Sequence, residues 1–581
     1  MVNNLKRARS LFLDGLNRAQ AGDLSGAETR LREAVALDPH RGTAIAHLAR
    51  TLLLQGRAAE ARPLAEQAVN ADQRSADAWR ALADCQAQAG EWQAAITSFQ
   101  RALAIEPQAV QLWMGLAGAM LAIGQADAAA QGFERALQYA PDNVDAWLQL
   151  GIARQRQWRL EQGLTCMEQV LAVDPQRVLA WERKGSLLLH LKRYAEALAA
   201  LDQALALDPG LAQAWYLRGN TLQGLDREEE ALAAYDRAIA LNPRLDDAWS
   251  ERASLYVSDV HQVERAVRES RTSLETFLGS VTASIRERPE GMTLQRFRLQ
   301  HDLEQAQHLQ ARGIAIEGCA GFIATAGELL GASPAGELHL APTRAQWQAM
   351  LPYLAVPYYH PMPQLDGPCL NGANDWAGIE EAYLSGKPQL VAIDNFLAPQ
   401  ALAALRDFAL CSKIWLAEYR NRYLGAFANR GFATPLHLQL ARELAAAMPR
   451  VFGNYRLTQL WGFKYDAVMP QGINVHADFA RVNLNFWLTP DTANRDPESG
   501  GLKVFDVPSP PDWAPHDYNE NEVKIYAFLK DRGAKMVRVP HRCNRAVLFN
   551  SALFHETDAI HFEPGYESRR LNFTYLFGRQ L

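Results

Sequence analysis

Near the C-terminal end of this 581-residue chain stand His476-Ala477-Asp478, then His555, then Arg570. In an extended backbone, residues two apart project to the same side, so the His476 imidazole and the Asp478 carboxylate converge on one point. His555 follows the apolar run Ala546-Val547-Leu548-Phe549 and can return to that point from a neighbouring strand. Two imidazoles and a carboxylate on one face of an octahedron leave three positions open, which suits ferrous iron with room for O2 and a co-substrate. An isolated His-x-Asp arises by chance in many sequences, and Arg570 sharpens it. Through Ser568–Tyr575, alternation sets Arg570, Asn572 and Thr574 on one face and Arg569, Leu571 and Phe573 on the other. A guanidinium fork grips a carboxylate in bidentate fashion. His541 and His561 are alternatives to His555, and Arg569 is the alternative to Arg570.

These residues need strands to hold them. Short β-type runs fall at 389–394, 457–464, 482–488, 502–505, 536–539, 546–549 and 571–577, with one helix at 401–410. Many short strands separated by turn residues predict a sandwich or jelly roll. The stretch 506–535, rich in Pro, Asp and Asn, is either a cover over the site or a plain insertion. From 258 to 387 the reading is a connecting region with helices at 263–277 and 294–311, then a proline-rich stretch holding Tyr358, Tyr359 and His360. His360, beside Pro361, reads as a surface or packing residue. The region is either a linker or an arm packed on the strand-rich domain.

The first half has a different logic. Stepping by 34 from Pro39 reaches Gln73, Pro107, Pro141, Pro175, Pro209 and Pro243; Trp79, Trp113, Trp147, Trp181, Trp215 and Trp249 keep the same step. So do the small residues Gly15, Ala49, Ala83, Ala117, Gly151, Gly185 and Gly219. Each unit therefore holds two amphipathic helices: small residues allow close approach, the aromatic fills the gap, and proline stops the second helix. Such units bury their apolar faces only by stacking. The Trp ladder is expected to be core.

Composition sets outer bounds. At 581 residues the chain exceeds one hydrophobic core. The net charge of −6 is mild and dispersed, so no electrostatic footprint supports nucleic acid. Six scattered cysteines without metal spacing read as buried small residues in a reducing compartment. No apolar span of membrane length and no secretory leader is evident, so the expectation is a cytoplasmic protein with no membrane partner.

The repeat pattern resembles the tetratricopeptide repeat across seven units, about residues 8–245, with a capping pair after Trp249. That resemblance implies a groove for a protein or peptide partner, with Arg80, Tyr216, Asn220 and Gln223 on its concave side; solvated surface is the alternative for each. Residues 388–581 resemble the 2-oxoglutarate/Fe(II)-dependent dioxygenases of the prolyl-4-hydroxylase-like branch. The match rests on Ile393-Asp394-Asn395-Phe396-Leu397, on Tyr465 and Gly472 ahead of His476-Ala477-Asp478, on Gly500-Gly501-Leu502-Lys503-Val504, on Arg545–Phe549 ahead of His555, and on Arg570-Leu571-Asn572. It implies a double-stranded β-helix (jelly-roll) domain in which His476, Asp478 and His555 bind iron. Arg570 would pair with the distal carboxylate of 2-oxoglutarate, supported by Tyr465 and Asn572; Tyr465 as a core aromatic is the alternative. The family often has Lys where Arg570 stands.

The expected architecture is thus multidomain α + β: repeats over 1–257, a connecting region over 258–387 and the oxygenase-like domain over 388–581. The leading expectation is an iron(II)- and 2-oxoglutarate-dependent hydroxylase, consuming O2, that acts on a protein recruited by the repeats. The rivals are the same chemistry on a small molecule, glycan or nucleobase with the repeats used for assembly, and an inactive scaffold.

Overall fold

The computed structural model describes residues 2–578 apart from 288, 290, 335, 420, 470, 471 and 514. The chain divides into two compact units, 1–234 and 235–581.

The first unit is all helix, built from alternating helices such as Ala76–Gln88 and Trp92–Ile105 or Val144–Arg156 and Leu160–Val173. One apolar cluster runs from Ala117 and Phe133 through Leu148 and Met167 to Leu187, so the core passes from repeat to repeat rather than closing within one. The small residues act as anticipated: a Cβ on Gly185 would lie 2.5 Å from Leu201 Cγ. The tryptophans differ from expectation. They are half-buried, and each indole N–H donates to the carbonyl six residues back, as in Trp113 to Pro107 at 2.8 Å and Trp147 to Pro141 at 2.8 Å. The Trp–Pro pairing at fixed step is therefore a hydrogen-bonded clasp at the repeat junction as well as an apolar filler. Within each repeat the turn between helices places one residue at positive φ: Gly22, Gly56, Gly90 and Gly124, then Trp158, Lys192 and Asp226 at the same step of 34.

The second unit is mixed. Its helices include Asp246–Ser258, Val263–Glu287, Arg296–Ala311, Cys319–Ala332, Arg344–Leu354, Pro399–Cys411 and Pro435–Ala447. Its strands are β1 (Leu294–Gln295), β2 (His339–Leu340), β3 (Leu390–Ile393), β4 (Ala417–Tyr419), β5 (Tyr423–Phe427), β6 (Leu457–Tyr465), β7 (Val468–Met469), β8 (Val482–Trp487), β9 (Leu502–Pro508), β10 (Met536–Val539), β11 (Ala546–Asn550), β12 (Leu553–Thr557), β13 (Ile560–His561) and β14 (Leu571–Phe577). Seven form one antiparallel sheet in the order β3-β11-β8-β14-β6-β5-β4, while β10-β9-β12 make a three-stranded sheet and β7 pairs with β13. Trp487, Val547 and Phe549 of the large sheet meet Leu502, Val504, Val539 and Leu553 of the small one in a shared core.

The connecting region is an arm, not a linker. Its helices build their own core around Leu299, Phe322, Trp347, Met350 and Tyr353. The arm is also tied to the β-rich part. Gln305 Nε2 donates to the Ser412 carbonyl at 3.0 Å and to the Tyr566 hydroxyl at 2.9 Å, and Arg569 pairs with Glu304 at 2.8 Å. The helix expected over 263–277 runs on to Glu287, and the one expected from 294 begins at Arg296 after β1.

Candidate metal centre

Strand β11 belongs to the large sheet and β12 to the small one, so the turn at Ser551-Ala552 carries the chain from one sheet to the other and delivers His555 between them. His476 meets His555 in an isolated antiparallel bridge, His476 N to His555 O at 2.9 Å and His555 N to His476 O at 2.8 Å. Gly472 makes this approach possible: it sits at φ +64, and a Cβ there would fall 2.0 Å from the Thr557 carbonyl oxygen.

The three side chains gather. The ligand atoms of His476, Asp478 and His555 all lie within 4.8 Å of one another, with His555 Nε2 3.4 Å from Asp478 Oδ2 and the two ring centroids 4.3 Å apart. Each imidazole is locked in the same way. His476 Nδ1 lies 2.8 Å from the Asn474 carbonyl, and His555 Nδ1 lies 3.0 Å from the Leu553 carbonyl. A carbonyl only accepts, so both Nδ1 atoms carry the hydrogen and both Nε2 lone pairs are free for a cation. Asn483 Nδ2 donates to Asp478 Oδ2 at 2.6 Å and orients the carboxylate. Burial alone would raise the Asp478 carboxyl, but the adjoining His555 and His476 rings and the Asn483 amide hold it below its ordinary value. Burial, followed by the neighbouring His555, lowers His476. A lowered His476 beside a lowered Asp478 gives the neutral imidazole and the ionised carboxylate that a divalent cation takes.

Around the triad, Tyr465 of β6, Asn485 of β8 and Asn572 and Thr574 of β14 line a narrow cavity of about 40 Å³. Asn572 Nδ2 and Thr574 Oγ1 both donate to Asn485 Oδ1, at 3.0 and 2.6 Å, while Asn572 Oδ1 has no partner among the described residues. Arg570 continues the same face of the chain and is fully buried. Its Nε and Nη2 donate to the Gly500 and Gly501 carbonyls, its guanidinium carbon lies 4.5 Å from the Tyr465 ring centroid, and Nη1 has no partner among the described residues. An unpaired N–H on a buried cation costs about 1–3 kcal/mol or more, which an incoming carboxylate would recover. Arg569 projects the other way, to Glu304 and to Asp466 at 3.3 Å.

His541 is buried against Trp487 and Phe562, away from the triad, and burial together with the nearby Arg570 and Arg545 brings it down to about 3. His561 lies in β13 opposite Val468. The structure therefore groups His555, and neither of these, with His476 and Asp478.

Asn483 and Asn485 escaped the sequence reading, although a signal was present. In Val-Asn-Leu-Asn-Phe-Trp two amides alternate with apolar residues in a wholly buried strand, and a buried amide requires a polar partner. The 506–535 stretch packs on the site's shell. Its helix Glu522–Asp531 sets Ile525 and Leu529 against Val475, Ala477 and Phe554, and Ala477 N donates to the Tyr518 carbonyl at 3.0 Å.

In the first unit, Tyr216, Asn220 and Gln223 lie on helix Ala212–Gly224 at spacings that share one face. Arg80 lies on helix Ala76–Gln88, 3.8 Å from Asp84. All four are half-buried.

Family models described as tetratricopeptide repeat match residues 18–85, 86–133, 148–212 and 212–245. The N-terminal part of the chain is built of tetratricopeptide repeats. Solved structures similar to the chain include YrrB, "a TPR protein with an unusual peptide-binding site", at 22% identity and a TM-score of 0.29 over 32% of this chain and 97% of that one. Others are a tetratricopeptide repeat protein from Parabacteroides merdae, at 17% identity and 0.33 over 43% and 98%, and pilF of Pseudomonas aeruginosa, at 20% identity and 0.34 over 37% and 98%. No curated protein is significantly similar to the chain in sequence. Tetratricopeptide arrays are scaffolds for protein–protein interaction. Among the described residues no helix is long and apolar enough to cross a membrane.

Proposed function

We propose that the chain is an iron(II)- and 2-oxoglutarate-dependent oxygenase of jelly-roll architecture that hydroxylates a protein or peptide recruited by its repeats. The observation that carries this reading is the pair of imidazoles, each pinned through Nδ1 to the carbonyl two residues before it, with His555 Nε2 3.4 Å from Asp478 and the three ligand atoms within 4.8 Å of one another. Such a facial set with open positions suits ferrous iron. The unpaired Nη1 of buried Arg570, on the chain face that also carries Asn572, suits the far carboxylate of a keto diacid.

When bound, iron and 2-oxoglutarate supply oxidative decarboxylation with O2, yielding succinate and CO2 and inserting one oxygen atom into a substrate C–H bond. The chain does the rest. Asn483 fixes the Asp478 carboxylate, the Asn474 and Leu553 carbonyls fix the imidazole tautomers, Tyr465 stacks beside the Arg570 guanidinium, and the Glu522–Asp531 helix shields the His-x-Asp segment from water. A cavity of about 40 Å³ holds only a few waters, so admission of the keto acid requires its lining to spread.

The repeats supply binding energy and local concentration for the substrate. The test is mass spectrometry of proteins captured by the full chain, before and after addition of Fe(II), 2-oxoglutarate and O2. A captured protein gains one oxygen atom with the wild type and none with Asp478→Ala, and Tyr216→Ala/Asn220→Ala lowers its capture without changing the 2-oxoglutarate requirement. Equal modification by the folded Asp478→Ala chain contradicts the iron assignment.

A further inference from the structure

A second cluster of metal-binding side chains lies elsewhere in the second unit and shares no residue with the triad. Helix Pro399–Cys411 carries Asp407 and Cys411 four residues apart, hence on one face. His360, from the proline-rich segment, places Nε2 2.9 Å from Asp407 Oδ2. One donor atom each from His360, Asp407 and Cys411 lies within 4.8 Å of the others. A fourth donor comes from helix Arg296–Ala311, whose His308 Nε2 is 3.8 Å from the Cys411 sulfur. Both imidazoles point Nδ1 outward, His308 to Glu567 Oε1 at 3.4 Å and His360 to the Tyr358 hydroxyl at 3.4 Å, so both Nε2 atoms face the cluster as they do in the triad.

We propose that His308, His360, Asp407 and Cys411 form a four-ligand metal site of the structural kind that zinc occupies. Zinc bonds of ~2.0–2.3 Å to N, O and S place tetrahedral ligand atoms ~3.3–3.8 Å apart. His360, Asp407 and Cys411 already gather their donor atoms within 4.8 Å, with His360 and Asp407 2.9 Å apart, and His308 Nε2, 3.8 Å from the sulfur and outside that group of three, completes the set by closing on the ion. Ion pairing alone accounts for Arg312, Asp407 and His360. It does not account for a buried thiol turned onto a second imidazole. Charge also closes: thiolate and carboxylate together neutralise a divalent ion, while Arg312, which spans both Asp407 oxygens with its contact to Oδ2 at 3.3 Å, keeps Oδ1 when Oδ2 turns to the metal, and Glu567 stays beside Arg406. A surface cavity of about 500 Å³ bordered by Arg312, Arg406, Asp407 and Glu567 gives the ion access. Once bound, the ion clasps the connecting arm, through His308 and His360, to the helix that comes after β3.

The probe is Co2+ alone, titrated into the full chain carrying Asp478→Ala, so that the outcome is independent of the iron reading. One equivalent produces a near-ultraviolet thiolate-to-cobalt band and the intense visible absorption of tetrahedral cobalt, and Zn2+ bleaches both. Adding Cys411→Ser removes the thiolate band. His360→Gln, which keeps a polar side chain if the serine variant does not fold, lowers Zn2+ affinity by more than about 100-fold. Absence of the thiolate band in the Asp478→Ala chain, or its persistence with Cys411→Ser, overturns the site.

Discussion

The repeat array and the triad solve opposite problems. In the array the same contact recurs: indole N–H to carbonyl at Trp79, Trp113, Trp147, Trp181 and Trp215, with distances of 2.8–3.0 Å. Each such bond contributes about 0.5–1.5 kcal/mol, and its neighbours remain when one is lost. At the triad the orienting contacts do not recur along the chain. One carbonyl orients each imidazole, one amide orients Asp478, and one guanidinium stands on the Asn572 face. Redundancy makes a surface tolerant and easy to read from a sequence. Singularity makes a site fragile and readable only where spacing alone implies convergence.

The sharpest way to break this contrast is at Arg570. Arg570→Ala should raise the 2-oxoglutarate requirement by about 10- to 100-fold, the equivalent of ~1.5–3 kcal/mol for a charge-assisted pair, while iron binding stays unchanged. Arg569→Ala should instead destabilise the arm through Glu304 with little effect on 2-oxoglutarate. Succinate formation against 2-oxoglutarate concentration checks both, and a reversal of the two phenotypes would move the co-substrate cation to the opposite face.

Acid should separate the two units next. Burial lowers His301 and His437 of the second unit to about 3. An unfolded histidine titrates near 6.5, so the native state binds fewer protons and the stability from each neutral ring is complete above that value. It is lost as pH falls from 6.5 toward 3, by roughly 2 kcal/mol per ring at about pH 5. Thermal unfolding followed at neutral pH and at about pH 5 should show the second unit losing more than the repeats, and His437→Gln should reduce the difference.

The smallest effect uses the repeats as their own control. Lys192 holds φ 59 at the step where Gly56, Gly90 and Gly124 hold positive φ. A non-glycine residue there costs about 1 kcal/mol, so Lys192→Gly should stabilise the array by about that amount in denaturant unfolding and leave keto-acid turnover untouched.

Legibility divides along the same line. The 34-residue step exposed the helix pairs and the small residues, but it suggested a buried Trp ladder because periodicity reports position and not hydrogen bonding. Strands such as β6, β8 and β14 were readable from their apolar runs. His555, Asp478 and His476 were readable because residue type and alternation together imply convergence. The Asn474 and Leu553 carbonyls were not, since every residue carries a carbonyl and only the fold selects two. The arm over 258–387 was ambiguous because its ties to Ser412, Tyr566 and Arg569 span more than 100 residues of chain. His360, read as a surface or packing residue, meets Asp407 through a return of 47 residues that no local pattern marks.

The most direct test of the account is an anaerobic titration of the full chain with Fe(II) and 2-oxoglutarate, monitored by the visible charge-transfer absorption of a keto acid chelated to ferrous iron. It needs no knowledge of the final substrate. The account predicts a saturable band at one equivalent of iron, absent in Asp478→Ala and reached only at higher 2-oxoglutarate in Arg570→Ala. A folded wild-type chain that binds iron at His476, Asp478 and His555 yet gives no band at any 2-oxoglutarate concentration would contradict it.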